Sequence, residues 1–68
     1  MANYYVDTIP QANGDHEVHT DACADFKEMK EPQHLGEFHY AKTAIEIARS
    51  YYNQVAGCDT CCPEPQGA

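Results

Sequence analysis

The sequence predicts an α+β domain: a three-stranded antiparallel sheet in β-β-β-α order with one helix packed on one face. Three observations carry that expectation. Residues 3–9 are rich in aromatic and β-branched side chains, which suit a pleated surface. Asn13-Gly14 lies between two alternating segments, and both residues tolerate the positive φ that a hairpin turn requires. Residues 41–55 place apolar side chains at spacings of three and four, the period of one helix face.

The first strand covers residues 3–9, with Tyr4, Val6 and Thr8 on one face and Tyr5, Asp7 and Ile9 on the other. Pro10 ends it. Residues 15–20 form the returning strand, with His16 and Val18 opposite Glu17 and His19. Between residues 21 and 34 the pattern is mixed. Phe26 and Met29 suit a short helical segment, whereas the charges and Glu31-Pro32 suit a structured loop. Residues 35–40 read as the third strand, with Gly36 marking a bulge or a close backbone approach and Phe38 as the core aromatic.

The helix then buries Ala41, Ala44, Ile45, Ala48, Tyr51, Tyr52 and Val55, and turns Lys42, Glu46, Arg49, Ser50 and Asn53 outward. It starts either at Ala41 with a poor cap or about two residues later on the capping box of residues 43–46. Gly57 is placed as its left-handed C-terminal cap. A single domain over residues 1–62 followed by a flexible tail over 63–68, which holds two prolines, completes the expected organisation.

Composition narrows function. Four Lys+Arg against eleven Asp+Glu give a formal charge of -7, which disfavours nucleic acid. No apolar run reaches membrane-spanning length and no secretory pattern opens the chain, so a cytoplasmic monomer without membrane attachment is expected. No serine–histidine–carboxylate set, phosphate loop or dinucleotide fingerprint is present, and the acidic residues lack a calcium-loop spacing. The expectation is a non-enzymatic accessory or protein-interaction domain.

Four cysteines in 68 residues are the chemically loaded feature. A domain this small seldom gains more than about 3–5 kcal/mol from one apolar core, so a staple would matter. Cys23 follows the second strand, and Cys58, Cys61 and Cys62 follow the helix. If those two points meet, Cys23, Cys58 and Cys61 with Cys62 or His19 make a structural zinc set. A disulfide from Cys23 to one of the trio, or free thiols, are the alternatives. A thioredoxin-like role is disfavoured, because the C-x-x-C pair follows the helix instead of opening it. His16-Glu17-Val18-His19 resembles a zincin signature but spaces its histidines at i, i+3 on a strand, which turns them to opposite faces. His34 and His39 could share a sheet face with His16 or His19, or sit in solvent.

The residues Tyr4-Tyr5-Val6, the run from Asn13 to His19, Cys23, Leu35-Gly36-Glu37-Phe38, Tyr51-Tyr52 and Gly57-Cys58 with Cys61-Cys62 carry a resemblance over nearly the whole chain. In them the sequence resembles a family of small uncharacterised bacterial proteins, and the Asn-Gly-Asp-His-Glu-Val-His run is the most specific part. The chain departs from that family's pattern at the helix start, where Tyr40 or Ala41 stands in place of a cysteine. The resemblance supports the single-domain reading and implies no activity.

Overall fold

The structure, a computed structural model, describes residues 2–58. Cys61, Cys62 and the expected boundary between residues 62 and 63 lie outside the described residues. The elements are β1 (Ala2–Asp7), β2 (His16–Thr20), a 3₁₀ helix (Ala24–Glu28), β3 (Pro32–Phe38), α1 (Ala41–Arg49) and β4 (Val55–Gly57). The class is α+β with one α-helix, but the sheet has four strands in the order β3-β1-β2-β4. β1 pairs antiparallel with β2 and β3, whereas β4 runs parallel to β2. The expected three antiparallel strands are therefore corrected to a mixed four-stranded sheet.

The hairpin follows from alternation. Tyr4, Val6 and Val18 are buried on the face that α1 covers. Its loop is longer than a two-residue turn: the Gly14 N–H donates to the Gln11 carbonyl at 2.8 Å, and Gly14 takes φ +95°. Asn13 Oδ1 accepts from the Asp15 N–H at 3.0 Å, the local side-chain turn that asparagine supplies.

Pro32 opens β3 at a sheet edge, where a missing N–H leaves no ladder gap. The β1–β3 register slips between Tyr4, opposite Gly36, and Tyr5, opposite His34. Leu35 is the extra residue, and it packs against the core. Gly36, expected to mark a bulge, thus lies next to one and takes φ +141°. The Phe38 ring lies over it, so an added Cβ would stand 2.7 Å from Phe38 Cζ. Phe38 is only half-buried, and Tyr4, at 6% exposure, is the core aromatic instead. Gly36→Ala should cost about 2 kcal/mol through backbone strain and displacement of that ring. A denaturation midpoint unchanged by the substitution would refute this.

α1 begins at Ala41, and its N-cap residue Tyr40 makes no side-chain cap bond. Ala44, Ile45 and Ala48 are buried, as the stripe predicts. Nine residues form a helix that is marginal alone, so this packed face holds it. The helix stops at Arg49, six residues before Val55. Tyr51 and Tyr52 N–H groups both donate to the Ala48 carbonyl, at 2.9 and 3.0 Å, and close the last turn. Residues 55–57 then pair along the outer edge of β2, with the His16 N–H donating to the Gln54 carbonyl at 2.9 Å. Continuing the helix would leave that edge unpaired. Gly57 is thus a strand residue opposite Val18, and the expected helix cap there is wrong.

Since β3 and β4 both run antiparallel to β1, α1 crosses the sheet from one edge to the other. The 3₁₀ helix covers the opposite face, where Phe26 packs edge-on to Tyr5 at 5.0 Å. This resolves the mixed segment as one short turn of helix within a loop. Among the described residues, no helix is long and apolar enough to cross a membrane.

Candidate metal centre

The site is assembled at the end of β2. Alternation places Val18 under α1 and His19 on the opposite face, where His19 is 3% exposed. β2 ends at Thr20, whose carbonyl accepts from the Cys23 N–H at 3.2 Å and turns the chain back. Cys23 then acts as N-cap of the 3₁₀ helix, its Sγ accepting from the Asp25 N–H at 3.4 Å. That bond sets Cys23 and Asp25 side by side. From the other end of the chain, parallel pairing of β4 delivers Cys58, whose N–H donates to the Val18 carbonyl at 3.0 Å.

The outcome is a cluster of His19, Cys23, Asp25 and Cys58, with one potential ligand atom from each lying within 4.8 Å of all the others. Cys23 and Cys58 are buried free thiols with their sulfurs 3.9 Å apart. The Cys58 thiol donates to Asp25 Oδ2 at 3.8 Å. His19 Nε2 donates to Glu17 Oε1 at 3.0 Å. A tetrahedral zinc with thiolate bonds near 2.3 Å would hold its two sulfurs about 3.8 Å apart, so the observed pair needs almost no adjustment.

Of the residues singled out in the sequence, Cys23, Cys58 and His19 come together. Cys58 is positioned by β4 and lies well beyond the end of α1, so the helix dipole has no bearing on it. Asp25 was missed. Its only sequence signal is the Cys-x-Asp spacing after β2, which is uninformative until Cys58 is known to arrive beside it.

The other histidines are elsewhere. His16 stacks on Tyr52 with ring centroids 3.9 Å apart, on the α1 face, and donates from Nδ1 to the Asp7 carbonyl at 2.9 Å. His34 shares a cross-strand row with Tyr5 and His19, but it is exposed and meets Asn3 Oδ1 at 3.0 Å. His39 is exposed beside Tyr40.

Compared with known protein families, curated proteins and solved structures, the chain gives no significant match.

Proposed function

We propose that this chain is a small zinc-binding protein whose ion is held by His19, Cys23, Cys58 and Asp25 and cross-links the sheet to the 3₁₀ turn. One observation carries the reading: two thiols, an imidazole and a carboxylate from three separate stretches of chain converge on one point. Two sulfurs with a histidine select zinc over magnesium or calcium, which prefer oxygen donors. The Glu17 carboxylate at His19 Nε2 holds the ring in place, the kind of contact that orients a metal-binding histidine. The role is structural and non-enzymatic, in keeping with an accessory domain that binds a protein partner.

A Cys23–Cys58 disulfide is the second reading, favoured by the 3.9 Å separation of the sulfurs. It joins two members of the cluster and makes no use of the His19 and Asp25 donor atoms beside them, so zinc is preferred. Native mass spectrometry of protein purified in reductant without chelator tests the choice. One zinc per chain is expected, and Cys58→Ser should abolish it. In a parallel preparation without reductant, a metal-free chain two mass units lighter than the reduced form, with Cys23 joined to Cys58 in its peptide map, would favour the disulfide.

A further inference from the structure

The cluster is not equally protected on all sides. His19, Cys23 and Cys58 are all buried, whereas Asp25 is exposed. Phe26 makes the inward contact of the 3₁₀ turn, whereas Asp25 faces out from it, so its carboxylate can rotate about its own side-chain bonds and leave that packing in place. A cleft of about 180 Å³ opens beside it, lined by Glu17, His19, Asp25, Glu28 and Met29 among others. Among the described residues, one corner of the site therefore faces solvent.

We propose that the fourth coordination position is exchangeable: Asp25 is a displaceable ligand, and a neutral nitrogen donor of the imidazole class replaces it through the acidic cleft. This rests on the zinc reading above. Closed structural sites bury four protein ligands, while sites that exchange ligands keep three and leave the fourth position accessible. The class of incoming donor follows from charge. Two thiolates already neutralise a divalent ion, and the cleft adds the carboxylates of Glu17 and Glu28 on a chain of formal charge -7. An entering anion meets like charge at short range, whereas an uncharged imidazole does not.

Cobalt(II) substitution in the full chain tests this, since thiolate-to-metal charge-transfer bands report the cysteines and d–d bands report the whole ligand set. Imidazole should shift the d–d bands saturably while the thiolate bands and one cobalt per chain are retained, and azide should shift nothing. Asp25→Ala should still bind one cobalt and take imidazole about tenfold more tightly, because the competing carboxylate is gone. Loss of cobalt from Asp25→Ala, d–d bands indifferent to imidazole, or equal binding of azide would each overturn the proposal. Failure of the zinc reading looks different: the wild-type chain would then show no thiolate charge-transfer bands at all.

Discussion

Removing zinc from the loaded protein with a strong chelator in reductant is expected to lower its melting midpoint by about 20 °C. A ligand that binds only the folded chain at a thousand times its dissociation constant stabilises it by about 4 kcal/mol. For a domain of this length each kcal/mol moves the midpoint by roughly 4–8 °C. The apolar core cannot compensate. The largest fully buried side chains are Val6 and Val18, and the remaining buried apolar residues are Tyr4, Met29, Ile45, two alanines and the two cysteines of the site itself. The ion would tie together three stretches that otherwise depend on a three-residue strand and a single 3₁₀ turn. Thermal melts followed by circular dichroism, with and without chelator, measure this directly. A midpoint that moves by less than about 2 °C would remove the structural role, and a large fall caused by reductant alone would transfer it to a disulfide.

Asp7→Ala is expected to cost about 3 kcal/mol with the metal bound. Asp7 is 4% exposed at the end of β1. Its Oδ1 accepts from the Ile9 N–H at 2.9 Å and from the Glu31 N–H at 3.4 Å, and its Oδ2 accepts from the Lys30 N–H at 3.4 Å. A carboxylate thereby anchors the start of the hairpin loop and the entry to β3 at one point. Bonds to charged acceptors are individually worth about 1.5–3 kcal/mol, and orphaned buried donors add their own penalty. Two of the three contacts are long, at 3.4 Å, and water can reach the released N–H groups, which brings the total well below three full bonds, to about 3 kcal/mol. Urea titration reads the loss as a shifted midpoint at unchanged slope, and zinc content should stay at one per chain. A loss below about 0.5 kcal/mol would show that water replaces the carboxylate freely.

Neither effect depends on the same kind of information. Alternation in β1 and β2 already separates Val18 from His19, because neighbours on a strand point to opposite faces. Asn13-Gly14 marks the hairpin loop, Gly36 marks the bulge, and the stripe through Ala44, Ile45 and Ala48 marks the buried side of α1. These features are local: each depends on residues within a few positions of one another. The error at the helix end has the same root. Tyr51, Tyr52 and Val55 continue the spacing of three and four, so periodicity cannot distinguish further helix from a turn and a three-residue strand. What ends α1 at Arg49 is the unpaired edge of β2, and no residue near Arg49 encodes it.

The candidate site divides along the same line. Thiols and a histidine were recognisable as ligand types, and the exit of β2 was a reasonable place for Cys23 and His19 to meet others. Asp25 looked like any charged loop residue, and Asp7 like any residue on the outer face of a strand. Their importance comes from partners such as Cys58, Lys30 and Glu31, all more than twenty positions away. Hydrophobic alternation and turn chemistry therefore specify the strands, the hairpin and the inner face of the helix, since those depend on backbone preference and short-range spacing. The fourth strand, the buried carboxylate and the four-residue cluster arise only when distant segments pack, because they satisfy backbone and side-chain groups that have no local partner.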